Sequence, residues 1–274
     1  MIGGRPAAAR LALEAAGRGT AVVLLHGLTA TRRYVVMGSR VLGREGYRVV
    51  TFDARGHGSS SPAPQPSAYE YADLAGDLEW VLDAAGVHRA VLAGASMGAH
   101  TALTFALARP QRVLGLVLIT PAFDPAEPAE LQRASLRRWD ALSDGLRTGG
   151  VEGFVAAYGE PAVPERWRAT VATVLRQRLA RHLRPEAVAD ALRVVPRSRP
   201  FQAWDELTAV TVPTLVVASR DEADPGHPYA VGEAYAAAIP GARLVSERPG
   251  SSPLAWQGGQ LSHAIAELVR QVET

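Results

Sequence analysis

The chain has 274 residues, with 29 basic against 27 acidic side chains and no cysteine. That length suits one large domain or one domain carrying an insertion, and the missing cysteine excludes disulfides, thiolate metal sites and a cysteine nucleophile. All the basic residues are arginine and none lies in a basic run with interleaved aromatics, so neither nucleic acid nor a membrane surface is an expected partner.

Taken in order, residues 1–20 carry a weak strand signal at Leu11 and Leu13. The apolar run 20–25 is expected to be a strand buried on both faces. It ends in His26-Gly27-Leu28-Thr29, a turn whose Leu28 N–H is placed to face a developing oxyanion, with His26 itself a turn residue. Residues 33–45 suggest a helix closed by Gly46. A second strand, 47–52, runs into Asp53-Ala54-Arg55-Gly56-His57-Gly58-Ser59-Ser60, a sharp glycine-flanked turn in which Asp53 and Arg55 are expected to pair and His57 to be structural. Residues 71–85 form an amphipathic helix with Leu74, Leu78, Val81 and Leu82 on one stripe.

Then comes Val91-Leu92-Ala93, a strand end, followed by Gly94-Ala95-Ser96-Met97-Gly98 and an alanine-rich helical run. G-x-S-x-G between a strand and a helix is the setting of an exposed nucleophilic serine. The turn leaves no room for side chains at Gly94 and Gly98, and Ser96 lies at the positive end of the following helix. The N–H of Met97 is the second expected oxyanion donor. Another buried strand, 114–119, closes at Thr120-Pro121. Alternating strands and helices predict a mostly parallel, doubly wound α/β sheet, with His26, Asp53, Ser96 and Thr120 at strand carboxyl ends.

The alternation then stops. Residues 128–147, 150–158, 164–182 and 185–194 read as short helices, several opened by proline. Their position between two sheet strands predicts a helical lid, 122–204, over a core made of 1–121 and 205–274. Its arginines are expected to form a solvated face with surface ion pairs. The sheet resumes at 212–218 and leads to Ser219-Arg220-Asp221-Glu222-Ala223-Asp224-Pro225-Gly226-His227-Pro228. A helix at 229–238, a short strand at 243–245, the turn Pro249-Gly250-Ser251-Ser252-Pro253 and a terminal helix at 261–272 complete the chain.

Together, His26-Gly27, Asp53-x-Arg-Gly-His-Gly-x-Ser60, Gly94-x-Ser-x-Gly98, the helical insertion and Val212-Pro-Thr-Leu-Val resemble the α/β-hydrolase fold superfamily over essentially the whole chain. The resemblance extends to its lidded esterase, aminopeptidase and C–C-bond hydrolase members. It implies Ser96 as nucleophile and Leu28 and Met97 as oxyanion donors. The acid is expected after the strand ending at Ala218: Asp224 by spacing from Ile239-Pro-Gly-Ala, with Asp221 and Glu222 as alternates. No cofactor or metal is implied. Dehalogenase and epoxide-hydrolase relatives carry aspartate where this chain has Ser96.

The family histidine normally stands where this chain has Ser251. A serine without a base is a poor nucleophile. Three explanations remain open: the base is lost, naturally or by design, and the protein is a weak hydrolase or a lidded binding protein; another histidine substitutes, His227 being the best placed; or the pocket does lyase- or isomerase-type work with Ser96 as a hydrogen-bonding group. His100 reads as a packed helix residue and His263 as a surface residue. The expected activity is hydrolysis of a small carboxylic ester, thioester or amide by a cytoplasmic enzyme with a small-molecule acyl substrate.

Overall fold

The computed structural model describes residues 10–220, 224–248 and 254–273. Among them, β1 (Leu13–Ala16), β2 (Ala21–Leu25), β3 (Arg48–Phe52), β4 (Ala90–Ala95), β5 (Val113–Ile119), β6 (Thr214–Val217) and β7 (Arg243–Val245) form one sheet in the order β1-β3-β2-β4-β5-β6-β7. Only the edge strand β1 is antiparallel to its neighbour; the other pairings are parallel.

The central strands read as unbroken apolar runs because both faces are covered. Val23, Leu25, Leu92, Leu116, Leu118 and Val216 point into one core layer, packed by α2 (Tyr71–Ala84), α3 (Met97–Ala108) and α7 (Tyr229–Ala238). Their sequence neighbours Val22, Leu24, Val91, Val117, Leu215 and Val217 point into the other, packed by α1 (Val41–Arg44) and α8 (Gly258–Glu273). The expected α2 stripe is the buried one: Leu74, Leu78, Val81 and Leu82 are all in the core.

Two local expectations are corrected. Residues 33–45 do not form one helix; turns occupy 32–38 and only α1 is helical. Met37 and Gly38 both take positive φ (46° and 75°), which interrupts a right-handed helix there. Asp53 and Arg55 do not pair with each other. Asp53 is buried and accepts from the Arg32 backbone N–H and guanidinium, while Arg55 is held by Asp77, 2.6 Å from Nε. Both partners are distant in sequence, which is why the local reading missed them.

Between β5 and β6 the chain is helical: α4 (Ala129–Tyr158), α5 (Glu165–Leu179) and α6 (Pro185–Val194), then single 3-10 turns at Val195–Arg197 and Trp204–Ala209. α4 breaks at Gly150, where φ is 60°, at the boundary expected between two shorter helices. The insertion has its own apolar core of Leu142, Leu146, Phe154, Leu175, Leu179 and Leu192, and Leu28 of the sheet's His26-Gly27 turn packs against it. Met97 packs with Ala191 and Val195. These helices therefore rest directly on the two turns flanking Ser96.

Candidate active site

The connection that leaves β2 runs to β3 on one side, and the one that leaves its neighbour β4 runs to β5 on the other. A parallel sheet opens a crevice at such a point, at the strands' carboxyl ends. Gly27 and Ser96 occupy it. A Cβ built on Gly27 would lie 3.5 Å from the Ser96 Cβ, so the two turns touch.

Ser96 caps α3 with φ 51° and ψ −113°, a left-handed conformation that is costly for serine. Its N–H donates to the Ile119 carbonyl at 2.9 Å, and its own carbonyl accepts from Ala99 and His100. The bend exists because the flanking glycines permit it. A Cβ on Gly94 would meet the Gly98 carbonyl oxygen at 2.2 Å, and one on Gly98 would meet the Leu25 carbonyl oxygen at 2.2 Å. Glycine at 94 thus closes the turn, and glycine at 98 lets α3 lie against the end of β2.

The Ser96 hydroxyl donates to His227 Nε2 at 2.9 Å, and His227 Nδ1 donates to Asp224 Oδ2 at 2.7 Å. The carboxylate is acceptor-only, which assigns the ring proton to Nδ1 and leaves the Nε2 lone pair for the serine. Asp224-Pro225-Gly226-His227 is a β-turn closed by the His227 N–H on the Asp224 carbonyl at 3.2 Å. Pro225 presets the turn's second position, and closure brings side chains i and i+3 together. The stiffness that Pro225 gives this segment helps to pair His227 with Asp224. Burial pushes the Asp224 carboxyl up; the His227 hydrogen bond, the charges of His227 and Arg178 and the Gly226 N–H outweigh it and hold the carboxyl below its ordinary value.

Among the described residues, the N–H groups of Leu28 and Met97 have no hydrogen-bond partner. Met97 is buried, and each amide follows a residue of the touching pair Gly27 and Ser96. Unsatisfied backbone donors of this kind are free to stabilise a negative charge that develops against them. No group of three or more His, Asp or Glu among the described residues is gathered to hold a metal.

Comparison with known proteins bears on the fold. A family model for the alpha/beta hydrolase fold matches residues 20–152. A protein assigned as the carbamate hydrolase RutD, from Variovorax paradoxus, is 32% identical over 208 residues, 75% of each chain. The chain belongs to the α/β-hydrolase fold family. Epoxide hydrolase 1 of Siraitia grosvenorii is 32% identical over 199 residues, which are 70% of this α/β-hydrolase chain but 59% of that protein's length. A thermophilic esterase from Thermogutta terrifontis superposes with a TM-score of 0.79 at 27% identity, over 99% of this chain and 97% of the other. Each of these relatives is named as a hydrolase or an esterase.

The remaining histidines of this α/β hydrolase stand away from the Ser96 hydroxyl. The His26 ring donates from Nδ1 to the Gly27 carbonyl and accepts the Ala54 N–H at Nε2, 2.9 Å away. His57 is fully buried, with Nδ1 on the Arg55 carbonyl. His100 accepts the Ala122 and Phe123 N–H groups at Nε2, which leaves the ring proton on Nδ1 to donate to the Tyr71 hydroxyl oxygen. His263 is exposed beside Glu45. Ser251, Asp221 and Glu222 lie outside the described residues. One polar residue at the site was not anticipated: Arg178, from α5, donates to the Thr29 hydroxyl at 2.6 Å.

Proposed function

We propose that the protein is a serine hydrolase of acyl substrates, such as small carboxylic esters, thioesters or amides, in which His227 serves as the base usually found at the position of Ser251. The carrying observation is the continuous hydrogen-bond chain from the Ser96 hydroxyl through His227 to Asp224. In this reading Ser96 Oγ attacks the acyl carbon as its proton passes to His227 Nε2. Asp224 holds the ring by Nδ1 and stabilises the imidazolium. The Leu28 and Met97 N–H groups take the oxyanion of the tetrahedral intermediate. His227 then protonates the leaving group, and water hydrolyses the acyl-enzyme by the same steps in reverse. The helices of the insertion serve as a lid, supported by their packing on Leu28 and Met97.

Chemistry separates this from epoxide opening, the activity named for some relatives. Serine attack on an epoxide would leave an alkyl ether, which neither a base nor an oxyanion hole can hydrolyse. A carboxylate nucleophile is what that reaction needs. Ser96 suits acyl carbon, including the carbamate carbon named for RutD.

The test is a fluorophosphonate probe with turnover of a 4-nitrophenyl ester. Labelling at Ser96, and turnover lost in Ser96→Ala, are expected. An unlabelled protein, or an ester rate unchanged by Ser96→Ala, removes the reading.

A further inference from the structure

Five of the insertion's arginines are ion-paired at its surface: Arg147 with Asp190, Arg168 with Glu160, Arg176 with Glu152, Arg193 with Asp144 and Arg197 with Asp140. Arg178 departs from that pattern. It leaves the same helix as Arg176 but points inward, its Nη2 on the Thr29 hydroxyl. Its Nε is sealed from solvent and has no hydrogen-bond partner. No carboxylate among the described residues lies within ion-pair distance of it.

The groups whose charge reaches the guanidinium are Asp224, Tyr34 and Tyr158. Asp224 is already bonded to His227. Burial draws the guanidinium's pKa down, against the opposing pull of those three groups. Arginine nonetheless keeps its charge in proteins. The side chain retains some open surface, although protein encloses it on most sides. The side chain is therefore enclosed without being sealed into the packed interior. An enclosed cation without a bonded counter-ion is costly, and an arriving anion relieves the cost.

Position fixes what that anion belongs to. Thr29 lies two residues past Gly27, whose turn touches Ser96, and Asp224 lies at the other end of the Ser96–His227 chain. Arg178 therefore borders the same pocket in which the acyl group would sit. We propose that Arg178 is a specificity residue whose guanidinium receives a carboxylate carried by the substrate, so that the preferred substrates are esters, lactones or amides bearing a free carboxylate. The planar guanidinium with unused N–H donors matches a carboxylate's two oxygens. This rests on the serine-hydrolase reading above.

The experiment compares 4-nitrophenyl half-esters of succinic, glutaric and adipic acid with their methyl-capped, uncharged counterparts. The wild-type protein is expected to favour the best charged ester at least tenfold in kcat/KM over its capped form. In Arg178→Gln that charged-to-capped ratio falls roughly 10–100-fold, mainly through KM, and Arg178→Lys retains part of it. A wild-type ratio near one for all three chain lengths overturns the proposal, whether or not the variants fold. So does an equal loss on both ester types in Arg178→Gln, which would make the arginine a counter-charge for Asp224. A binding arm needs no turnover. Glutarate titrated calorimetrically into Ser96→Ala is expected to bind, and to lose that binding when Arg178→Gln is added; glutarate affinity unaffected by Arg178→Gln overturns the assignment. Binding that depends on Arg178, without any Ser96-dependent ester turnover, would sustain the anion site and refute the hydrolase reading alone.

Discussion

At the scale of single residues, the proposed site rests on a histidine three positions from the carboxylate it is hydrogen-bonded to. Two side chains on one β-turn save the chain from positioning two separate loops against Ser96. The loop is also clamped at both ends. Arg220 stacks on the Tyr229 ring at 3.6 Å, and Glu247 accepts from the Arg220 N–H and the Ser219 hydroxyl. If His227 is the base, His227→Gln lowers kcat by roughly 10⁴–10⁶-fold while fluorophosphonate labelling slows in parallel. Asp224→Asn, which spoils the tautomer, costs on the order of 10⁴-fold. Ser251→His on the wild-type background supplies the complementary check. Ser96 already has an imidazole at 2.9 Å, so no gain is expected. A gain of orders of magnitude in ester turnover would mean that His227 is not the working base.

At the scale of elements, the bend at Ser96 is set by backbone contact, which makes its glycines sensitive to one methyl group. Gly98→Ala places a Cβ 2.2 Å from the Leu25 carbonyl oxygen and 2.9 Å from that of His26, atoms fixed at the end of β2. We expect a loss of about 2–4 kcal/mol in urea denaturation. Gly76→Ala is the contrast. Gly76 lies exposed inside α2 with nothing within 4 Å of a built Cβ, so up to about 1 kcal/mol of stabilisation is expected. Destabilisation by Gly76→Ala together with a neutral Gly98→Ala would contradict this account of the bend. These elements were legible because each has a local signature: two-sided apolar runs for β2, β4, β5 and β6, an apolar stripe for α2, and prolines opening α5 and α6. The helix expected at 33–45 failed because nothing local announced the positive φ at Met37. The Asp53–Arg32 and Arg55–Asp77 pairings join residues 21 and 22 positions apart, beyond any local pattern. Arg178 was illegible for another reason: its helix carries several arginines, and only the fold shows which one turns inward to Thr29.

At the scale of the whole molecule, four of the seven histidines are buried in neutral form, and two of them, His100 and His182, tie the sheet to the insertion. His182, just beyond α5, accepts the Gly58 N–H at 2.8 Å and donates to the Thr29 carbonyl at 2.9 Å. Its ring lies 5.5 Å from that of His57, which lies 5.2 Å from that of His26. Burial is the main cause that lowers all four: His26 to about 4, His100 to about 3, and His57 and His182 below their ordinary value of 6.5. The unfolded chain therefore binds more protons than the folded one once the pH drops below about 6.5. Stability must fall with falling pH from there, and go on falling through about 4 for His26 and about 3 for His100. Asp224, with its lowered pKa, adds to the loss only below its ordinary 3.8. Asp77 opposes it, because burial, set against the Arg55 hydrogen bond and charge, leaves its carboxyl raised; it does so only in the carboxylate range. The slope between pH 6.5 and 5 thus belongs to the histidines. Urea midpoints should be level from pH 8 to 7 and then decline steadily to pH 5. His57→Gln should flatten part of that decline, because it removes one buried titrating ring from the three-histidine group. A midpoint that holds constant down to pH 5 would mean that these rings are not kept neutral by the fold, and that the junction between sheet and insertion is held by something other than their hydrogen bonds.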